Sequence, residues 1–310
     1  MADKFAIVTG ASSGIGLELA RLAARDGYDM LVVADTPLVD AAAALKGEGV
    51  EVQSVETDLS TIDGVDRLLA AVGGRRVDLL CANAGHGLGG AFLDQEISEW
   101  RHVVDANVTG TLYLLQKVLR QMRDAGQGKV LITGSIAGWI PGSFQAVYNG
   151  TMGFVENFAA AIRNELKEVK DITITTLLPG PVETQFFERA GMMDTKVGQS
   201  ESKSDPVDVA KDGWKALMKG ANSIVSGVSN KLQVAGAGVL PQSVTAEQHR
   251  KIAKRGVATR EATRRAVASR DVMMPWHSSR TRRGCHASKV AIIRAWRSAG
   301  TLCKGCGERR

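Results

Sequence analysis

Residues 5–16 read Phe5-Ala6-Ile7-Val8-Thr9-Gly10-Ala11-Ser12-Ser13-Gly14-Ile15-Gly16. A short run with the character of a buried strand passes straight into a turn carrying three glycines. The chain then takes up helical spacing, with Leu19, Leu22 and Ala23 on one side. A glycine pattern that follows a strand and opens a helix is informative in a way that an isolated one is not. Gly10 permits the tight turn, Gly14 lets the backbone approach a pyrophosphate, and Gly16 lets the helix pack close to the strand. The helix N-terminus offers unpaired N–H groups and a positive dipole end to phosphates.

Working outward, short β-type runs alternate with longer helical ones. Strands are expected at Phe5–Thr9, Asp29–Ala34, Val50–Val55, Val77–Ala82, Lys129–Thr133, Ile172–Leu178 and Ser223–Ser226. Helices are expected at Ile15–Arg25, Ala41–Lys46, Val65–Val72, Ser98–Arg123 with Ser98 as N-cap, Ala146–Lys167 and Asp205–Lys219. This alternation predicts an α/β fold, a doubly wound parallel sheet of about seven strands with helices on both faces, complete by about residue 230. Residues 1–255 are read as one Rossmann-type domain.

The charge is unevenly spread. The chain of 310 residues carries 39 Lys and Arg against 33 Asp and Glu. Residues 251–310 hold 16 of the basic and 3 of the acidic residues, leaving 23 basic against 30 acidic in residues 1–250. The basic balance therefore belongs to the tail and says nothing of nucleic-acid binding by the body. Residues 256–310 read as a basic extension, disordered or non-native, with a nucleic-acid arm as the third reading. Three of the four cysteines fall there; Cys303-Lys304-Gly305-Cys306 with Cys285-His286 has poor spacing for one zinc ion, and no metal is expected. Cys81 lies in an apolar run and reads as a core residue. No apolar run is long enough for a membrane span. The N-terminus lacks signal-peptide character, which makes the cytoplasm the expected location.

Asp35 lies 19 residues beyond Gly16, at the end of the second strand. A carboxylate there accepts hydrogen bonds from adenosine ribose hydroxyls and repels a 2′-phosphate. No Arg or Lys follows closely, so NAD is expected ahead of NADP. Asp58 after the third strand and Asn83-Ala84-Gly85 after the fourth fall at strand carboxyl ends, where ligands bind in such sheets.

Taken together, the Thr9–Gly16 turn, Asn83-Ala84-Gly85, Asn107 in a long helix, Ser135, Tyr148 thirteen residues later and Pro179-Gly180 make a specific set. In these residues the chain resembles the short-chain dehydrogenase/reductase family over roughly residues 4–230. The resemblance implies that Gly10, Ser12, Ser13, Gly14, Ile15, Gly16, Asp35, Asp58, Leu59, Asn83, Ala84, Gly85, Tyr148, Pro179, Gly180, Val182 and Thr184 bind the cofactor. Within that set Asp58 would contact adenine and Thr184 the nicotinamide carboxamide. It implies that Ser135 holds the substrate oxygen, that Tyr148 exchanges the proton, and that Asn107 supports a relay water. It also implies a small alcohol or carbonyl substrate and a homodimer or homotetramer formed through the helices starting near Ser98 and Ala146.

One position departs from the pattern. A phenol with a pKa near 10 serves near neutral pH only if a positive charge stabilises its anion. The family supplies a lysine one helical turn after the tyrosine. Here Tyr148-Asn149-Gly150-Thr151-Met152 places a methionine there, with neither charge nor donor. Three readings stay open: an inactivating substitution in an ordinary oxidoreductase, a weakly active enzyme with a compensating group, or a dinucleotide-binding protein without the reaction. Phe186, Phe187, Met192 and Met193 are expected to form an apolar lid over the substrate. His86, Trp139 and Phe144 are expected as walls of the pocket mouth.

Overall fold

The first strand is buried along its whole length because both faces of the sheet are covered. In β1 (Phe5–Thr9), Ala6 and Val8 pack into one apolar layer while Phe5 and Ile7 pack into the other. The computed structural model describes residues 4–256. The seven-stranded sheet has all neighbours parallel, in the order β3 (Val52–Glu56), β2 (Asp29–Ala34), β1, β4 (Leu79–Ala82), β5 (Gln127–Thr133), β6 (Asp171–Leu178), β7 (Ser223–Val225). Only the edge strands β3 and β7 carry exposed residues along much of their length, as edges should.

One face is covered by α1 (Gly14–Arg25), α2 (Val39–Lys46) and α8 (Pro206–Met218) through Leu19, Ala23, Leu45, Trp214 and Leu217. The other is covered by α3 (Ile62–Val72), α5 (Thr111–Ala125) and α6 (Ala146–Glu165) through Leu68, Leu115, Met122, Val155 and Ala159. Cys81 is fully buried in the first layer, and burial pushes its thiol up to about 12, so it is an inert core residue as expected. The strand order reverses between β1 and β4. The crevice at that switch point, outside the carboxyl ends of the strands, is where sheets of this kind bind ligands.

The long helix expected over Ser98–Arg123 is corrected in detail. It is divided into α4 (Ile97–Val104), a π-helical segment (Asp105–Gly110) and α5. Its N-cap is Glu96, whose N–H donates to Glu99 Oε2 at 3.3 Å; Ser98 lies inside the first turn. By contrast, a short polar side chain caps α8: the Asp205 carboxylate accepts from the Val207 N–H at 2.8 Å.

The expectation that the elements end near residue 230 is also corrected. Short helix α7 (Phe186–Arg189) precedes α8, and α9 (Val228–Ala237) and α10 (Gln242–Ala253) follow β7. The last two carry no apolar stripe: α9 buries Asn230, and α10 buries Thr245 and His249 with Ala253 at its end. Their large apolar residues, such as Val228 and Leu232 in α9 and Val244 in α10, are exposed. An apolar-periodicity test reads this pattern as no helix at all. The basic segment 257–310, with Cys285, Cys303 and Cys306, lies outside the described residues. Among the described residues no helix is long and apolar enough to cross a membrane, and no cluster of three metal-binding side chains occurs.

Candidate active site and dinucleotide cleft

A cleft of about 300 Å³ opens along the carboxyl ends of the strands and runs from Asp35 to His249. Its floor is the glycine turn. Gly10 and Gly14 both have positive φ, 65° and 58°, which side-chain-bearing residues rarely adopt. A Cβ on Gly14 would stand 2.8 Å from Thr184 Cγ2, and one on Gly16 would collide with the Gly10 carbonyl. The turn is thus pressed against its neighbours on both sides. Ser13 occupies the N-cap of α1 without a side-chain cap bond, so the first N–H groups of the helix keep their donors for a ligand.

Around the turn, the structure places Ser12, Ile15, Asp58, Leu59, Ala84, Gly85, Pro179, Gly180 and Val182 on the cleft wall, as the sequence suggested. Asn83 is there too, but its amide is spent within the protein. Its Nδ2 donates to the Thr9 carbonyl at 3.2 Å and its Oδ1 accepts from Thr133 Oγ1 at 3.0 Å, tying the ends of β1 and β5 together. Thr184 Oγ1 accepts from the Phe186 N–H at 3.3 Å, at the start of the lid.

Asp35 stands where β2 ends, and an imidazole and a guanidinium reach it from distant parts of the chain. His86 Nε2 is 3.1 Å from its Oδ2, and Arg189 Nη1 is 3.9 Å from its Oδ1. The hydrogen bond from His86 is the main cause holding this carboxyl below its ordinary range; partial burial opposes it, and the charges of His86 and Arg189 assist. No cation follows Asp35 closely in the sequence; the fold brings one, Arg189 of α7, together with the His86 imidazole from the loop after β4.

At the other end, Ser135 and Tyr148 come together. Ser135 is buried at the end of β5; its Oγ accepts from the Ala137 N–H at 3.1 Å. Burial pushes the Tyr148 phenol above its ordinary value, and a hydrogen bond with Ser135 pulls it partly back. Among the described residues no cation counters the burial. Met152, at 5% exposure, lines the cleft one turn beyond Tyr148. The Phe186 ring lies 5.1 Å from the Tyr148 ring.

Asn107 lies in the π-helical segment and is buried. Its Oδ1 accepts from the His86 N–H at 2.8 Å, and its Nδ2 donates to the His86 carbonyl at 2.9 Å and to Thr151 Oγ1 at 3.0 Å. Thr151 Oγ1 in turn donates to the Tyr148 carbonyl at 2.7 Å. One side chain therefore braces the peptide of His86 and the helix that carries Tyr148.

Val182 bridges to Ser204, closing residues 183–203 into an insertion over the cleft. Phe186 and Phe187 line the cleft. Met192 is buried beneath Gly89, in a cluster with Phe187, Ala190 and Ala253. Met193 is 49% exposed, so of the four expected lid residues only Phe186 and Phe187 line the cleft. Of the expected walls, His86 lines the cleft, Phe144 lines a neighbouring hollow, and Trp139 is largely exposed. The wall contributed by His249 and Ile252 of α10 and by Gln233 of α9 had not been anticipated. Arg255 fastens this closure: its Nη2 donates to the Gly191 carbonyl at 2.9 Å and to the Gly89 carbonyl at 3.4 Å.

A glycine turn at a sheet switch point, with a serine–tyrosine pair across the cleft, defines a dinucleotide-dependent oxidoreductase architecture. The sequence profile of the family described as short chain dehydrogenase matches residues 4–194. An uncharacterized oxidoreductase of Staphylococcus aureus strain MW2 is 30% identical over 217 residues, 68% of this chain and 89% of the relative. Among solved structures, a short-chain dehydrogenase from Sphingobium yanoikuyae in complex with NADPH gives a TM-score of 0.68 at 22% identity. It covers 90% of this chain and 100% of the other. A short chain dehydrogenase/reductase from Burkholderia phymatum in complex with NAD gives 0.67 at 23% identity, covering 75% of this chain and 92% of the other. At those identities the two structures speak for the fold. The chain belongs to the short-chain dehydrogenase family and is an oxidoreductase of that type.

Proposed function

We propose that the protein transfers hydride between a nicotinamide dinucleotide and a secondary alcohol or ketone, at a rate held down by Met152. The observation that carries this reading is that Ser135 and Tyr148 line the same cleft as Gly10 and Gly14 of the glycine turn. The residues fit such a cofactor. The positive-φ glycines leave the floor without side chains, and α1 presents unpaired N–H groups to a pyrophosphate. Asp35 takes the adenosine ribose, and Thr184 stands at the nicotinamide end beside the turn. When bound, the dinucleotide supplies or accepts the hydride.

The protein's own part is proton transfer and positioning. Ser135 Oγ donates to the substrate oxygen and holds it at Tyr148. Tyr148 gives the proton to that oxygen in reduction and removes it in oxidation. Phe186 and Phe187 exclude water and pack against the apolar part of the substrate. Without a cation at position 152, only Ser135 opposes the burial that keeps the phenol protonated. Reduction of a ketone is therefore hindered less than oxidation of an alcohol.

Turnover is measured for the unmodified protein and Met152→Lys over a panel of alcohols and ketones. Expected is weak turnover that the lysine raises; activity in neither protein refutes the reading. A second reading, a dinucleotide-binding protein without the reaction, is favoured by buried, uncharged Met152 beside a phenol whose proton is held tightly. Robust turnover by the unmodified protein, lost in Tyr148→Phe, excludes it.

NAD remains the cofactor proposed ahead of NADP, on the Asp35 carboxylate, with His86 and Arg189 moderating the preference. The reading also takes a cytoplasmic protein that assembles as a homodimer or homotetramer through α5 and α6. The exposed Phe154 ring on α6, stacked on Phe158 at 6.0 Å, supports that surface. Light scattering of Phe154→Asp tests it, a smaller assembly being expected.

A further inference from the structure

We infer that His249 is a specificity-determining residue, accepting a hydrogen bond from a hydroxyl that the substrate carries away from its reacting carbonyl. The inference rests on the oxidoreductase reading above and names the substrate class more narrowly: ketones or alcohols with a second, remote hydroxyl.

The argument begins with α10. His249 is 6% exposed, yet it lines the cleft, so the space it faces is the substrate end of the cavity. Its Nδ1 is 2.9 Å from the Ser143 carbonyl oxygen. A carbonyl only accepts, so Nδ1 carries the hydrogen. The neutral ring then has a bare Nε2, an acceptor with no protein partner among the described residues. Burial lowers the ring's affinity for a second proton, with the Ser143 bond partly opposing, which keeps that acceptor available at neutral pH. The tautomer is thus set by the backbone, and the function of the other nitrogen follows from it.

The surroundings sharpen the ligand. Phe186 and Ile252 make the same end of the cleft apolar, while Gln145 and Gln233 leave isolated polar points. An acceptor in an apolar wall discriminates strongly, because a ligand lacking the matching donor leaves it dry and unpaired. A flat ketone with a phenolic or alcoholic hydroxyl satisfies both requirements. A purely hydrocarbon ketone satisfies only the first.

The experiment compares binding of para- and meta-hydroxyacetophenone with para- and meta-methylacetophenone, by calorimetry on the NADH-loaded protein. At least one hydroxyl compound should bind about tenfold more tightly than its methyl counterpart. His249→Phe should bring that ratio to about one, and His249→Gln, which keeps an acceptor, should retain part of it. In the unmodified protein, nitrogen NMR should show the His249 Nε2 signal shifting with the hydroxyl ketone and not with the methyl ketone. This measurement needs no variant to fold. Equal binding of each pair, binding of none, or a ratio unchanged in His249→Phe overturns the inference. NADH consumption by Met152→Lys is followed separately. Its absence counts against the hydride-transfer reading, whereas consumption without a hydroxyl preference counts against His249 alone.

Discussion

The two ends of the cleft differ in charge. At the adenosine end one carboxylate, Asp35, is met by His86 and Arg189. At the other end Tyr148 stands with Ser135 and the uncharged Met152. On the function proposed above, charge is concentrated where the cofactor is recognised and is missing where the proton moves. The difference teaches that recognition and chemistry are separable in this fold, because each end is built by different elements and can change alone.

The largest expected effect comes from restoring charge at the reacting end. Met152 lines the cleft, so a lysine there ends in the cavity and lowers the phenol's pKa by direct Coulomb attraction. Met152→Lys should raise alcohol oxidation by about a hundredfold and move the rising limb of its pH–rate profile to lower pH. Tyr148→Phe in that background should cancel the gain; a gain that survives would assign the proton to another group.

A smaller effect is expected at the floor shared by both ends. Gly14→Val puts a branched side chain at positive φ against Thr184. NADH affinity, read by fluorescence titration, should fall at least tenfold while circular dichroism keeps its α/β shape. Unchanged affinity would separate the turn from the cofactor.

At the adenosine end the changes are several-fold. Asp35→Ala leaves His86 and Arg189 without their carboxylate and should shift the NADPH-to-NADH affinity ratio toward NADPH. Arg189→Ala should shift it the other way, since its charge is partly exposed and screened. If Asp35→Ala leaves the ratio unmoved, the charge contrast has no bearing on cofactor choice.

The smallest effect concerns stability. His249 binds a proton less readily when folded than when unfolded. The unfolded chain therefore takes up more protons as pH falls through about 6.5, and folding stability declines on the acid side. Urea midpoints between pH 7.5 and 5.5 should fall less steeply in His249→Gln than in the unmodified protein. Equal slopes would mean that other groups set the acid sensitivity.

The Rossmann half was legible in the sequence because its signals are local and apolar. The bounds of β1 and β2 come directly from their unbroken buried runs. The glycine turn, Ser135 and Tyr148 sit at fixed distances from such strands, so they too could be located. What escaped depends on contacts between distant residues. The pairing of Asp35 with Arg189 joins β2 to a lid more than 150 residues away. Helices α9 and α10 bury Asn230, Thr245 and His249 instead of an apolar stripe. Ser98 was misplaced as a cap because a glutamate pair, Glu96 and Glu99, took the role that serine usually fills.

Asn107 carries a consequence for how relatives of this chain are sorted. Its amide joins the His86 peptide to Thr151. Removing it would strand several buried polar groups, each costing about 1–3 kcal/mol. A lineage that abandoned the reaction would therefore still be obliged to keep this asparagine for architecture. On the function proposed above, counting signature residues to separate working enzymes from retired ones would overcount the workers, and position 152 would be the more discriminating witness.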